Sequence, residues 1–518
     1  MLIDYLNLSR AQDLKNSKER ILYRCLEVLP GFLSFGTLGV VFLLSRLIPV
    51  AVAVFIIIFD LYWLLRIVFL SFHQISSFFQ MKKNLKTNWL EKLRQLTINN
   101  KQLAIKNWQD IYHLIILPMY KEDIEIVRTT LRSLVDSEYP KENFIVVLAT
   151  EERAGEGVQE TVKKIEKEFS ENFFKFLITC HPKDIPGEIA GKGSNIVWAQ
   201  KKVKEEILNK LSIPSENIIV SNFDIDTRPY PQYFSCLTYH YLTAKKPLKS
   251  SYQPIPVYNN NIWEAPAFSR VIATSGTFWQ MMQQERAEQL VTYSSHSMPF
   301  KTLEEVGYPS NLVSDDSRIF WKSYLFYSGD YRVVPMHYPV SMDTVMAKTL
   351  FKTIVNQYRQ QRRWASGAEN IPYLIFGFLK NKKISLFEKL RHTYITLEGF
   401  WSWATVALLI FFLGWLPIIF GGEKFNITLL AYNLPRLTSN LMSIAMIGMF
   451  VSAAISLLLL PPRPKNYSKL KNLSMIFQWI LLPLTLIFFG TFPALDAQIR
   501  LILGKPLDFW VTEKTRKN

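Results

Sequence analysis

Apolar residues along this chain fall into two patterns. Long blocks lie near both ends, and short runs broken by polar segments lie between them. Leu26–Leu44 is nearly free of charge, with Glu27 at its edge, and Val50–Leu65 is apolar apart from Asp60. Each approaches the ~20 residues that a spanning helix needs, and the short SRLIP break between them predicts a helical hairpin. The blocks return at Leu397–Phe420, Leu441–Leu460 and Leu473–Phe492, with Trp401, Trp403 and Trp479 as candidate interfacial anchors. From about Thr87 to Gly367 no segment is long and apolar enough to cross. Beyond it, IPYLIFGFLKNKKISLFEKLRH combines apolar runs too short to span with lysines that suit a helix lying on the bilayer surface. The division is therefore 1–86 (N-terminal segment and hairpin), 87–367 (soluble domain), 368–395 (interface helices) and 396–518 (further spans and a tail).

Within 87–367 the periodicity changes. His113–Leu117 is a short apolar run ending before Pro118 and reads as a strand. Ile124, Val127, Leu131 and Leu134 then recur at helical spacing, and Phe144–Thr150 reads as a second strand. This β-α-β opening predicts a parallel sheet in an α/β domain. A third strand over Phe173–Thr179 precedes a glycine-containing loop, a helix over Ile196–Asn209 and a fourth strand over Ile218–Phe223. Ligands of open α/β sheets sit at the carboxyl ends of the strands. There the sequence places Tyr120 and Glu122, then Glu151 and Glu152, then Asp224 and Asp226.

Charge settles the partner class and one side of the topology. Lys and Arg number 60 against 43 Asp and Glu, a net +17. That excess suits nucleic acid or an anionic membrane surface; the apolar blocks favour the membrane, and no nucleic-acid-binding motif is present. Arg10, Lys15, Lys18, Arg20 and Arg24 precede the first block, and Lys82, Lys83 and Lys86 follow the second. By the positive-inside rule both flanks are cytosolic. Five crossings would put the C-terminus outside, yet PPRPKNYSKLK and the tail (Arg500, Lys505, Lys514, Arg516, Lys517) read as cytosolic. Either Met475–Leu503 re-enters or forms a hairpin, breaking at Pro483, or Phe425–Pro435 contains another crossing. A cleaved signal peptide fits poorly, since no small-residue cleavage site follows a short apolar core. Cys25, Cys180 and Cys236 lie far apart, without disulfide or zinc spacing.

Four polar segments carry candidate chemistry. Asp224-Ile225-Asp226 ends the fourth strand, and alternate residues of an extended segment point the same way, so two carboxylates converge. Magnesium is commonly held by one or two carboxylates plus substrate phosphates; a turn or helix-capping pair is the competing reading. Lys192 and Asn195 in AGKGSN stand before a helix, where backbone N–H groups can receive phosphate, or they form a solvated turn. Ser314-Asp315-Asp316 pairs two carboxylates, which raise one another's pKa and suit a general base; alternatively they cap the helix that follows. Asn356–Gly367, NQYRQQRRWASG, is either a lipid-facing basic patch or a grip on a specific anion.

In order and spacing, LPMYKED, GKGSN, DID, SHSMPFKTLEEVGY followed by SDD, and Gln360-Gln361-Arg362-Arg363-Trp364 as Q-x-x-R-W resemble the membrane-bound family 2 glycosyltransferases. That group includes cellulose, chitin and hyaluronan synthases, and the resemblance covers about Ile111 to Gly367. It implies a GT-A (nucleotide-diphospho-sugar transferase) fold between transmembrane helices, in a multi-pass protein of the bacterial inner membrane with the domain cytosolic. It also implies an inverting hexosyltransferase that uses Mg²⁺ or Mn²⁺ and a nucleotide-sugar donor, a UDP-sugar, to extend a β-linked polysaccharide. Asp316 would deprotonate the acceptor hydroxyl, with Asp315 beside it. Asp226 would hold the metal, Asp224 the metal or ribose side, and Lys192 the uridine or first phosphate. Tyr120, Glu122 and Asn195 would contribute to donor binding. Arg363 would neutralise the leaving diphosphate and Gln360 hydrogen-bond there, while Trp364 stacks on the acceptor sugar. His296 would line the acceptor site or be structural, and Arg359 and Arg362, unassigned by the motif, could bind lipid.

The chain departs from the family in two places. Where paired aspartates usually contact the base stands ATEERAGE, with Glu151 or Glu152 in their position. Between DID and SHSM lies a long insert whose first half is either an amphipathic helix near the membrane or packing core. Two other functions stay open. One is a single transfer onto a polyprenyl phosphate or other lipid acceptor; the other is a non-catalytic membrane scaffold or transporter.

Overall fold

A computed structural model of the chain describes residues 4–98, 100, 102–465, 467–505 and 507. Lys514, Arg516 and Lys517 of the basic tail lie outside the described residues. Helix α1 (Ser17–Leu47) starts where Asn16 Oδ1 accepts from the N–H groups of Lys18 and Glu19, at 2.9 and 3.3 Å. It ends one residue before α2 (Pro49–Lys86), whose proline sits at the first helical position, where its missing N–H costs nothing. The hairpin is as expected, but both helices outrun the apolar blocks. At 1.5 Å per residue, α2 is about 57 Å long against a hydrocarbon core of about 30 Å. Its last turns leave the apolar layer and meet the soluble domain, where Asn84 Nδ2 donates to the carbonyls of Met336 and His337 at 3.2 and 3.1 Å.

The soluble domain is built on one eight-stranded sheet. Its strands are β1 (Tyr112–Pro118), β2 (Phe144–Glu151), β3 (Lys175–His181), β4 (Ile218–Asn222), β5 (Arg228–Pro229), β6 (Ser250–Val257), β7 (Ser297–Pro299) and β8 (Arg332–Ser341). They lie in the order β3-β2-β1-β4-β7-β6-β8-β5. The first four are mutually parallel, and β7 pairs antiparallel with both β4 and β6. The third strand begins two residues later than its apolar pattern suggests. Around the sheet pack α3 (Ile124–Val135), α4 (Lys192–Val203), α5 (Ala267–Gln284) and α6 (Asp315–Phe326). Two cores result, one on each face: Ile115, Val146 and Phe234 on one side, and Leu114, Val147 and Ile196 on the other. This is a mixed α/β domain held between N- and C-terminal helices.

After the sheet come α7 (Leu350–Ala365), α8 (Asn370–Lys380), α9 (Leu386–Phe411) and α10 (Leu429–Leu458). The interface reading of 368–395 divides here. Tyr373, Leu374, Phe376 and Phe378 of α8 are buried against Phe320, Trp321 and Tyr23, so α6 and α1 cover the face expected to meet lipid. Leu386, Phe387 and Leu390 at the start of α9 remain exposed. The first C-terminal span starts at Leu386 rather than Leu397, and its helix ends at Phe411, ahead of the GWLP segment, where Pro417 cannot donate. The second begins at Leu429 and absorbs Pro435, so Phe425–Pro435 is no separate crossing. Gly448 lets α10 approach α2, since a Cβ there would stand 2.7 Å from Ile67 Cγ2.

Among the described residues five helices are long and apolar enough to cross a membrane, the fifth being Leu470–Ile502, and the chain is an integral membrane protein. The fifth differs from the others. It is interrupted by a 3₁₀ turn at Gln478–Leu481 and a π-turn at Leu486–Thr491, and it touches the soluble domain repeatedly along its length. Met475 packs on Trp263, Gln478 Oε1 accepts from Arg270 Nε at 2.5 Å, and Phe489 stacks on Phe268 at 5.3 Å. Asp496 pairs with Arg362 of α7 at 2.8 Å, and the carbonyls of Leu501 and Ile502 accept from Arg24 near the start of α1. Trp479 is no lipid anchor, because it is buried, stacked on Phe278 at 5.8 Å and donating to Ser456 Oγ at 3.2 Å. The long insert does form a helix, α5, which packs against both α2 and this last segment.

Candidate active site

Two of the four sequence motifs meet at one ammonium group. Lys192, in the first turn of α4 and 8% exposed, donates to Asp224 Oδ1 at 2.7 Å and to Asp316 Oδ1 and Oδ2 at 3.0 and 3.1 Å. Burial opposes its charge, but Asp224, Asp316 and Asp315 more than offset that and hold the ammonium protonated far above its ordinary range. Asp224 Oδ2 accepts from Ser294 Oγ at 2.6 Å, which fixes the carboxylate on its other side. Gly193 makes the approach possible. A Cβ there would lie 2.5 Å from the Pro309 carbonyl and 3.4 Å from Asp315 Cβ, so the GKG turn and the SDD turn can touch only without a side chain.

Asp315 and Asp316 open α6 but cap nothing with their side chains. The Tyr308 hydroxyl lies 3.3 Å from Asp315 Oδ2 and 3.4 Å from Asp316 Oδ1. Burial, then the neighbouring Asp316, push the Asp315 carboxyl above the usual carboxylate range, with Lys192 and Arg363 pulling back. His296 lies behind this pair. Its side chain has 0% exposure, Nδ1 bonds the Tyr293 carbonyl at 2.9 Å and stands 3.8 Å from Asp316 Oδ1, and burial above all keeps the ring neutral. The ring is enclosed by protein in this structure.

Asp226 is fully buried. Its Oδ2 accepts from the Asp343 N–H at 2.7 Å, and Asn260 Nδ2 ties the two residues by donating to the Asp226 carbonyl (3.0 Å) and to Asp343 Oδ1 (2.8 Å). Among the described residues no group of three or more His, Cys, Asp or Glu is placed to hold an ion by itself. The donor set at Asp224 and Asp226 is nonetheless hard carboxylate oxygen, the chemistry that fits Mg²⁺ or Mn²⁺ together with phosphate oxygens.

The Q-x-x-R-W segment is the last turn of α7. Trp364 and the half-buried Tyr258 lie with ring centroids 6.3 Å apart, and Tyr258 lies within electrostatic reach of Asp224, Asp226, Asp316 and Arg363 together. Tyr258 is thus near both the acid cluster and the arginine, and Arg363 is near enough to Asp315 to act on its carboxyl. The sequence gives no hint of it, because YNN after a proline-containing strand matches no chemical pattern. Gln360 is buried and its Oε1 accepts from Gln357 Nε2 at 3.3 Å. Arg362, offered above as a lipid contact, is instead paired with Asp496. Glu369, in the 3₁₀ turn that follows α7, accepts from Ser314 Oγ at 2.5 Å and from Ser314 N at 3.3 Å, so that turn is tied directly to the one that carries Asp315 and Asp316.

The donor-side candidates gather at the ends of β1 and β2. Arg153 bonds Glu151 and lies 4.6 Å over the Tyr120 ring, and the Tyr120 N–H donates to Glu122 Oε2 at 2.7 Å. Glu152 instead accepts from the Lys183 N–H at 3.1 Å. Asn195 is fully buried and donates to the Ala149 carbonyl at 2.6 Å, anchoring α4 on β2 rather than facing open space.

No family model and no curated protein matches this chain. Among solved structures it is similar to the mannosyltransferase PcManGT from Pyrobaculum calidifontis in complex with GDP-Man and Mn²⁺. Identity is 13% over 85% of this chain and 97% of that one, with a TM-score of 0.40. It is also similar to residues 1–349 of TarS from S. aureus in complex with UDP-GlcNAc, at 10% identity over 76% and 93% of the two chains, with a TM-score of 0.37.

Proposed function

We propose that the protein is an inverting, metal-dependent family 2 glycosyltransferase that moves a hexose from a nucleotide-sugar, a UDP-sugar, to a growing β-linked polysaccharide. The domain would face the cytosol at a bacterial inner membrane. The observation that carries the reading is the Lys192 bridge, which brings Asp224 of DID and Asp316 of SDD to one point at the strand ends. Asp316 is the base: it takes the proton of an acceptor hydroxyl as that oxygen attacks the anomeric carbon and the bond to the diphosphate breaks. Lys192 serves the base by fixing the Asp316 carboxylate through both of its oxygens, at 3.0 and 3.1 Å. Arg363, within electrostatic reach of Tyr258 and Asp315, would receive the departing diphosphate with its planar fork. Trp364 offers a face for the acceptor ring. A divalent ion held by Asp226 and Asp224 would supply Lewis-acid stabilisation of the leaving charge.

The alternative acceptor, a polyprenyl phosphate or other lipid, gains from one observation. The fifth apolar segment lies along the domain, which leaves four long helices to line any polymer path. Detergent-purified protein incubated with Mg²⁺ or Mn²⁺ and UDP-, GDP- and ADP-sugars, UDP-GlcNAc and GDP-mannose included, tests both readings. High-molecular-mass, enzyme-digestible product supports the synthase, and a lipid-extractable single-sugar product supports the alternative. No nucleotide release with added membrane lipid and oligosaccharide acceptors would overturn both.

A further inference from the structure

Arg318 and Lys322 follow Asp315 on α6, about one and two turns along, and both are buried, Lys322 to 6% exposure. Arg318 is fully engaged. Nε donates to Asn370 Oδ1 at 2.6 Å, Nη1 to the Leu8 carbonyl at 2.8 Å and Nη2 to the Glu369 carbonyl at 3.1 Å, with the guanidinium 4.0 Å over the Tyr373 ring. Lys322 makes one hydrogen bond, from Nζ to the Gly307 carbonyl at 3.0 Å, and among the described residues it has no carboxylate partner. Both line a cavity of about 220 Å³, closed by residues 6–8 of the N-terminal segment, by Gly187 and by the 308–312 loop.

Lysine is almost never buried without an opposite charge, and here the nearest charged neighbour is another cation. Burial first, and Arg318 second, push the Lys322 ammonium down to about 8. Two cations around an uncompensated polar cavity are costly unless an anion completes the set. We propose that this cavity binds a small tetrahedral oxyanion of phosphate size, held by Lys322 Nζ against the wall formed by Ser310 and Asn311. The volume falls below the ~300–1,000 Å³ of sites for drug-sized ligands, so a nucleotide-sugar is too large for it.

The cavity shares Tyr308 with the acid cluster, and the Ile189 N–H donates to the Ser310 carbonyl at 2.9 Å, joining the loop before Lys192 to the cavity wall. A bound anion would hold those two loops together beside Lys192. That consequence for catalysis rests on the function proposed above; the binding itself does not.

The test uses full-length protein in detergent and radiolabelled inorganic phosphate, at ionic strength held constant with chloride. We expect saturable binding in wild type and in Arg363→Ala, which removes phosphate affinity at the donor site. In Lys322→Met we expect binding weaker by about tenfold or more, the loss of one charge-assisted hydrogen bond. Affinity should also fall as pH rises through about 8. Tyr308, pushed upward by burial and then by Asp315, stays neutral there. Absence of saturable binding in wild type, binding indifferent to Lys322→Met, or binding lost in Arg363→Ala would each overturn the proposal. Should Lys322→Met not fold, amine-reactive labelling of Lys322 at pH 8 with and without phosphate decides. Protection supports the site, and equal labelling refutes it.

Discussion

Lys192 and Lys322 are buried almost equally and lie against the same short helix, α6, yet their surroundings treat their charges in opposite ways. Around Lys192 stand Asp224, Asp316 and Asp315, and its proton is held firmly. Around Lys322 stand a guanidinium and a peptide carbonyl, and its proton is loosened. Burial alone therefore says little about a buried charge; the sign of the nearest fixed neighbours decides. At Lys192 the chain supplies its own counter-ions, which a substrate must share. At Lys322 it leaves that place to a ligand.

The contrast can be broken in order of expected size. Asp316→Asn removes the proposed base and one of the Lys192 counter-ions, and sugar transfer should fall about 10²–10⁴-fold with membrane insertion unchanged. Nucleotide release measures this, and full activity would remove Asp316 from the mechanism. Lys192→Met should cost about 2–3 kcal/mol of stability, less than for a wholly enclosed pair, because Asp224 and Asp316 are about a quarter exposed. Its unfolding temperature in detergent should drop clearly below that of wild type. Gly193→Ala leaves every charge in place and forces a Cβ onto the Pro309 carbonyl, for which about 1–3 kcal/mol is expected. If Gly193→Ala is neutral in the same melt, the two turns do not pack as described.

Lys322→Met is the smallest of the series, within about 1 kcal/mol of wild type at pH 7 in phosphate-free buffer, since only one hydrogen bond to a carbonyl is lost. Its signature is pH dependence. The folded-state pKa, about 8, lies below the ordinary 10.5, so between those values the unfolded chain binds the proton that the folded chain lacks. Wild type should therefore gain stability relative to Lys322→Met as pH rises from about 8 towards 10.5. Lys192, shifted the other way, should contribute fully below 10.5 and less above it. Melts across pH 7–10 that show the Lys322 difference constant would place this lysine in water.

Parts of this contrast were legible in the sequence and parts were not. The parallel half of the sheet announced itself because β1, β2 and β4 are uninterrupted apolar runs, buried on both faces. The other half stayed hidden. Pro254 and Pro256 in β6, and Pro335 and Pro339 in β8, read as strand breakers. The structure accommodates them by pairing the two strands in parallel with a register shift between Gln253 and Ile255. Asp224, Lys192 and Asp316 could be nominated from their motifs, but Lys192 bridging two of them is a tertiary fact. Tyr258, Ser294 and Glu369 carry no local signal at all. Lys322 looked like an ordinary charge in WKSYLF until the fold closed the N-terminal segment over it.

The fifth apolar segment bears on how the chain is put into a membrane. Both of its ends lie against the soluble domain, so it need not pass through. The other four candidate spans would then form two helical hairpins, α1 with α2 and α9 with α10. Each would insert as a closed pair with both free ends on one side, and the soluble domain would not have to be drawn across hydrocarbon. Cysteine probes placed after Leu458 and after Ile502 should react with an impermeant reagent from the same face of the membrane. Reaction from opposite faces would show that the segment is threaded through after all.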